Sequence, residues 1–222
     1  MIEQFFNLIA PHLCMNCRKT GSILCTACLG GLPAPPRRCY RCMRSLKGKR
    51  TKYVCAECRR QAPIDALISA TSYEVVAKEL VHRLKFGRAS AAANAIATSI
   101  AQRCTDVPSD TIVTYAPTAA KRVRIRGYDQ SQLIAKRLAK QLGLPYCRLL
   151  RRVGQTRQVG ASRQQRKEQI QHAFQPTGNK LTSQRVIVVD DILTTGATLE
   201  AAAAALKQAG ASHVTAVVFA VA

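Results

Sequence analysis

The stretch VIVVDDILTTGAT, Val186 to Thr198, decides the fold. Val186-Ile187-Val188-Val189 is an unbroken β-branched run, which reads as a strand buried on both faces, as in the middle of a parallel sheet. Two carboxylates follow, Asp190 and Asp191; then Thr194-Thr195-Gly196-Ala197-Thr198 opens a helix-forming run that includes Ala201 to Ala205. A loop of small and hydroxyl residues entering a helix leaves backbone N–H groups unpaired and aimed at an anion, with the helix dipole behind them. Gly196 admits a close backbone approach, and Thr194, Thr195 and Thr198 add hydroxyl donors. The aspartates would repel a phosphate. They suit a neighbouring vicinal diol, whose hydroxyls need acceptors, and a bridging Mg²⁺. The stretch therefore predicts a site for a phosphorylated sugar.

Upstream of this strand the pattern alternates between helix and strand. Between Tyr73 and Phe86, Val76, Leu80 and Leu84 recur at helical spacing with Val81 beside them, and Gly87 is the natural C-cap. His82 reads as a partly exposed surface residue. Ala89 to Arg103 is a second, alanine-rich helix, and Cys104 and Cys147 read as small core hydrophobes. Ile112 to Pro117 is a short strand running into a loop, TAAKRVRIRGYDQ, with Lys121, Arg122, Arg124 and Arg126. Asp129 and Gln132 have capping-box spacing for a helix through Leu142, with Gly143 beyond it. A basic loop past a strand's carboxyl end is where an α/β sheet binds ligands, and here it would meet pyrophosphate. From Lys121 to Lys167 there are fourteen Lys/Arg and one carboxylate, Asp129. The later part, Arg148 to Lys167, has no clean period and suits a lid over pyrophosphate, an arm for single-stranded nucleic acid, or a solvated loop. After the organising strand and its helix, Val214 to Val221 is a last apolar strand, begun by His213.

The N-terminal segment has a different character. Eight of the ten cysteines form four CxxC pairs: Cys14/Cys17, Cys25/Cys28, Cys39/Cys42 and Cys55/Cys58. Each knuckle places two thiolates on one tight turn, and two knuckles complete the tetrahedral four-sulfur shell that Zn²⁺ prefers, so two zinc ions are expected. Sequential pairing of the knuckles is favoured over an interleaved one. With few large apolar side chains, such a segment depends on metal for its fold. Residues 1–62 carry twelve Lys/Arg against two Asp/Glu, with Tyr40 and Tyr53 interleaved. This admits two readings: a nucleic-acid contact with base stacking, or a clamp against the second domain. The boundary is expected at Gln61-Ala62-Pro63, giving a zinc-binding module over 1–62 and an α/β domain over 63–222.

The formal charge of +22 and pI near 10.2 favour polyanionic partners: nucleic acid, an anionic membrane surface or phosphorylated substrates. No apolar run is long enough to span a bilayer. The start, MIEQFFNLIAPHLC, carries Glu3 and no basic n-region, which argues against a secretory signal and for a cytoplasmic protein. Phe5, Phe6 and Ile9 suit a short helix docked on the body or on the inner face of a membrane.

These motifs together resemble the ComF family, also called GntX-like. The resemblance rests on the paired knuckles, LKFGR from Leu84 to Arg88, RGYDQS from Arg126 to Ser131, the Thr156/Gln158 region, Arg166 with Ala173-Phe174, and VIVVDDILTTGAT. Tyr128-Asp129 stands where the family usually has Phe-Asn, and Gln169 where Asn is common. The fold implied is α/β, a type I phosphoribosyltransferase-like parallel sheet flanked by helices, behind a small N-terminal four-cysteine zinc-binding module. The ligand implied is phosphoribosyl pyrophosphate (PRPP) with Mg²⁺. Asp190 and Asp191 would hold the ribose hydroxyls, and Thr194, Thr195, Gly196, Ala197 and Thr198 the 5′-phosphate. Lys121, Arg122, Arg124 and Arg126 would face pyrophosphate, and Arg157 and Arg163 would close over it. The function implied is competence for natural transformation: helping single-stranded DNA into the cytoplasm beside a helicase partner. The alternatives are an active phosphoribosyltransferase on a small nucleophile, for which no side chain identifies an acceptor, and a scaffold with a vestigial pocket.

Overall fold

The computed structural model describes residues 12–47, 53–87, 89–153, 173–178 and 181–222. Phe5, Phe6, Ile9, Arg157, Arg163, Arg166 and Gln169 lie outside them. The β-branched run forms the middle of β5 (Arg185–Leu193), which is longer than the sequence implies: Asp190 and Asp191 are inside the strand. Beside it lie β6 (His213–Val221), β1 (Ala66–Ser72) and β2 (Ile112–Tyr115), all parallel, in the order β1-β6-β5-β2. Val113 bridges Tyr146 at the outer edge of β2.

Both faces of the sheet are covered, which is why the strands are largely apolar. Ile187 and Val189 of β5, with Val217 and Phe219 of β6, face one cluster; Val186, Val188, Val214, Ala216 and Val218 face the other. The first face is packed by α3 (Val75–Phe86), α4 (Ala89–Ala101) and α6 (Gln130–Leu142). The second is packed by α7 (Ala197–Gln208) and a small antiparallel pair, β3 (Leu150–Arg152) with β4 (Phe174–Pro176). The chain leaving β2 therefore goes to one face and the chain leaving β5 goes to the other. At such a switch point the strand ends part and leave a crevice. The geometry of a parallel sheet thus puts Asp190 and the loop after Asp191 at the mouth of that crevice.

One expectation fails here. Ala120–Arg126, read as part of a basic loop, is a short helix, α5, closed by Gly127 at φ 79. Its residues Lys121 and Arg124 share one side and Arg122 and Arg126 another, as i,i+3 and i,i+4 spacing requires, so the four cations do not converge on one point. Asp129 caps α6 as expected, its Oδ1 accepting from the Ser131 and Gln132 N–H groups, with Gly143 at φ 66 ending the helix. Gly87 is the C-cap of α3 as expected, its N–H donating to Arg83 O at 3.0 Å, but at φ −150, ψ −122 and not in the left-handed region.

The cysteine-rich segment is a structural duplication. Cys14 N–H donates to Lys19 O at 2.7 Å and Cys39 N–H to Arg44 O at 2.8 Å, while Arg18 and Met43, each four residues past the first cysteine, share φ of 63° and 60°. Each unit has an antiparallel bridge across the first knuckle, Leu13 to Thr20 and Arg38 to Ser45. In each the third cysteine N-caps a short helix with nearly identical angles: Cys25 at φ −72, ψ 162 before α1 (Thr26–Gly30), and Cys55 at φ −71, ψ 159 before α2 (Ala56–Gln61). Both units pack into the α/β body. Ile23, Leu24 and Leu29 join the cluster on the α4 face, and Tyr53 and Val54 join the cluster on the α7 face.

Candidate phosphoribosyl site beside a four-cysteine unit

The loop Thr194–Gly196 ends at Gly196, the N-cap of α7, in the left-handed region at φ 78. Glycine adopts this without strain and brings no side chain to cap the helix, so beyond the Ala197 N–H, which donates to Thr195 Oγ1 at 3.4 Å, the first-turn N–H groups are left without a capping side chain. They border an open hollow of about 210 Å³ lined by Asp190 and by the run from Ile192 to Leu199. Thr194 and Thr195 are exposed on its rim.

Two distant motifs reach the paired acids, of which Asp190 lines the hollow and Asp191 does not. Ser131, fully buried, donates from Oγ to Asp190 Oδ1 at 2.9 Å, and Asp191 N–H donates to the same oxygen at 2.9 Å. Lys85 Nζ lies 2.7 Å from Asp191 Oδ2. RGYDQS and LKFGR are thereby explained in part: each supplies one partner to one aspartate. Tyr128 Oη also donates to Leu84 O at 2.6 Å, tying the two motifs together, and Arg126 sits over the Phe86 ring at 5.3 Å. Burial and the adjoining Asp191 charge push the Asp190 carboxyl up to about 8. A diol or a cation would give these crowded oxygens the partners that neighbouring carboxylates deny each other.

Above the acids, Asp129 latches the start of the basic segment: Thr118 N–H donates to Oδ2 at 2.7 Å and Thr118 Oγ1–H to Oδ1 at 3.1 Å. Arg152 on β3 faces the same region. Burial and the nearby Arg122 pull its pKa down while Asp190 and Asp129 oppose this, and its buried Nε has no hydrogen-bond acceptor among the described residues. Of the four cations expected at pyrophosphate, Lys121, Arg122 and Arg124 are exposed, and Arg126 is engaged with Gln130 Oε1 at 2.7 Å.

Lys85, Ser131 and Arg152 carry no local signal in the sequence, because nothing nearby marks a lone Lys, Ser or Arg as facing an acid dozens of positions away. The stacking reading of the two tyrosines does not hold. Tyr53 is buried, 5 % exposed. Tyr40 donates from Oη to Glu200 Oε1 at 2.9 Å, and its ring covers Gly196, where a Cβ would meet Tyr40 Cδ2 at 2.8 Å. The close approach that Gly196 permits is that of Tyr40. The clamp reading of the basic module is the one these contacts support.

The knuckles pair sequentially. The sulfurs of Cys14, Cys17, Cys25 and Cys28, and those of Cys39, Cys42, Cys55 and Cys58, lie within 4.8 Å of one another in each quartet. Burial raises the Cys39 thiol, but N–H groups of Cys55, Cys42 and Arg41 outweigh it and bring it down to about 6; burial and neighbouring thiols push Cys58 up to about 12. Cys14 falls to about 6 in the same way, against burial, through N–H groups of Cys17, Cys25 and Asn16. Four thiolates so close need a cation, and this all-sulfur donor set could hold Zn²⁺ in each unit. The ion would supply folding energy rather than reactivity.

Residues 129–221 match the phosphoribosyl transferase domain family. Among curated proteins the chain is similar to competence protein F of Haemophilus influenzae, 27 % identical over 95 % of each chain, and to competence protein ComFC of Bacillus subtilis, 26 % identical over 78 % of each. No helix among the described residues is long and apolar enough to cross a membrane. A phosphoribosyl transferase domain behind two cysteine quartets, in a chain similar to two competence proteins over most of its length, fits the ComF family.

Proposed function

We propose that the chain binds PRPP with Mg²⁺ in the hollow at the end of β5 and serves as a competence factor that handles single-stranded DNA. Asp190 and Asp191 hold the ribose hydroxyls, and Thr194 through Thr198 hold the 5′-phosphate with backbone N–H groups and hydroxyls. Arg122 and Arg152 meet pyrophosphate, with Lys121, Arg124, Arg126, Arg157 and Arg163 adding positive potential around it. Mg²⁺ offsets charge between the acids and the anionic ligand. In this reading residues 1–62 are the zinc-binding module and 63–222 the phosphoribosyl domain. The role places the chain in the cytoplasm, working at the membrane's inner face beside a DNA-translocating helicase.

The observation that carries this reading is the convergence of three separated motifs. Lys85 and Ser131 each hold one of the paired acids, beside a helix start that has no side-chain cap. A structural strand–turn–helix has no use for two adjacent carboxylates crowded together, one of them raised by burial and by its neighbour's charge.

Calorimetry with PRPP and Mg²⁺ tests it. Wild type binds, and Asp191→Ala binds about ten- to a hundredfold more weakly, the loss of a charge-assisted contact, while remaining folded. Equal affinity in both rejects the assignment. In the DNA arm, affinity for single-stranded DNA falls steeply with salt, with a log–log slope of about −0.7 per phosphate contacted. A slope near zero rejects the electrostatic role of the +22 charge.

A further inference from the structure

The second four-cysteine unit touches the phosphate loop directly. Its first knuckle begins at Cys39, and the next two residues are Tyr40 and Arg41. Both reach Glu200, in the first turn of α7: Tyr40 Oη donates to Oε1 at 2.9 Å, and Arg41 Nε lies 3.3 Å from the same oxygen. The Tyr40 ring also packs on Gly196, so close that any side chain there would collide with it. Its backbone is held in turn by the unit itself, through Tyr40 N–H to Tyr53 O at 2.9 Å and Met43 N–H to Cys39 O at 2.9 Å.

Each contact bears on anion binding. A glutamate in a helix's first turn is favourable to the bare helix, but it puts negative charge beside an incoming phosphate. Tyr40 and Arg41 neutralise it with a hydrogen bond and an ion pair. The ring over Gly196 fixes the left-handed turn that aims the N–H groups at the hollow. Tyr40 is absent from the hollow's lining, so it works on the loop from behind and leaves the ligand's side clear. The ring's own position depends on the knuckle, a turn with too few apolar contacts to hold its shape without metal.

We infer that Tyr40 and Arg41 are positioning residues, and that metal in the Cys39/Cys42/Cys55/Cys58 quartet and a sugar phosphate at Thr194–Thr198 strengthen each other's binding. This deepens the PRPP reading and rests on it. Reciprocity is a thermodynamic necessity: if metal orders the loop for phosphate, phosphate must retain the metal by the same factor. The quartet of Cys14, Cys17, Cys25 and Cys28 makes no comparable contact among the described residues and should be indifferent to ligand.

Zinc-loaded full chain is mixed with a chromogenic chelator, with and without saturating PRPP and Mg²⁺, and binding is measured by calorimetry on the same sample. At equilibrium with the chelator, one of the two zinc ions is held at least about fivefold more tightly with ligand present, and the other equally with and without it. Cys39→Ser removes the protected ion. Tyr40→Ala abolishes the protection, and Tyr40→Phe, which keeps the ring, preserves most of it. Arg41→Ala weakens PRPP binding, and adding Glu200→Gln to that chain restores it, because the repelling charge is then gone. Ligand bound by calorimetry, with both ions held against the chelator equally with and without it, overturns the coupling and leaves PRPP binding standing. Failure of Glu200→Gln to restore affinity overturns the neutralising role of Arg41. No heat of binding in wild type sinks both readings together.

Discussion

At the position after its first cysteine one four-cysteine unit carries Met15 and the other Tyr40; four residues past the third cysteine they carry Leu29 and Arg59. The residues just before the third cysteine, Ile23-Leu24 and Tyr53-Val54, are buried in both. So each unit is anchored through the same backbone position, but to opposite faces of the sheet. In the first, Leu29 is 4 % exposed against the α4 face, and α1 is committed to packing. In the second, α2 has no buried residue, and the anchoring side chain is Tyr40, which ends at Glu200 and Gly196. One duplicated fold has thus been put to two uses. An aliphatic anchor only adds core, whereas an aromatic with a polar tip can reach beyond the core to a loop and orient it.

The largest expected effect breaks the first anchor. Leu29→Ala should cost about 2–5 kcal/mol through the lost contact and the cavity left, lowering Tm by roughly ten degrees. In calorimetry the remaining folded protein should bind PRPP as wild type does. A large loss of affinity would mean that both units govern the pocket.

The second effect is aimed at the other anchor. Gly196→Ala places a Cβ 2.8 Å from the Tyr40 ring at φ 78 and should cost about 1–3 kcal/mol, seen in denaturant unfolding. Adding Tyr40→Ala should recover the steric part but not the backbone part, so the double variant loses less than the two single losses added together. Full additivity would mean that the ring and the glycine do not share an energy.

The third effect is confined to a pH window and separates the pocket's own cost from that of either unit. Asp190 is held at about 8, against roughly 3.9 for an unfolded chain, so the folded protein retains a proton that the unfolded one has lost. Stability therefore falls as pH rises from about 4 to about 8 and is level beyond. Asp190→Asn keeps an acceptor for Ser131 and removes the titration. It should raise Tm near pH 8, with the gain vanishing near pH 4. A gain independent of pH would place the cause elsewhere.

Legible in the chain is what short-range physics controls. The run Val186–Val189 has to be a buried strand, Asp129 has to cap the helix that follows it, and each CxxC has to form a knuckle. Ala120–Arg126 reads as a loop because its cations obscure a helix whose periodicity is too short to stand out in seven residues. The tyrosines mislead for a different reason. A basic stretch with aromatics looks the same whether its rings meet bases or the protein's own backbone.

The sequence by itself determined the α/β class, the sulfur quartets and the two acids ahead of a phosphate-type loop, since each is written within a few dozen neighbouring residues. Only the tertiary structure decided which distant groups meet there: Lys85 at Asp191, Ser131 at Asp190, and Tyr40 at Gly196 and Glu200. Those pairings depend on the order of strands and on which face each connection takes. Local propensity carries no information about a partner 160 positions along the chain.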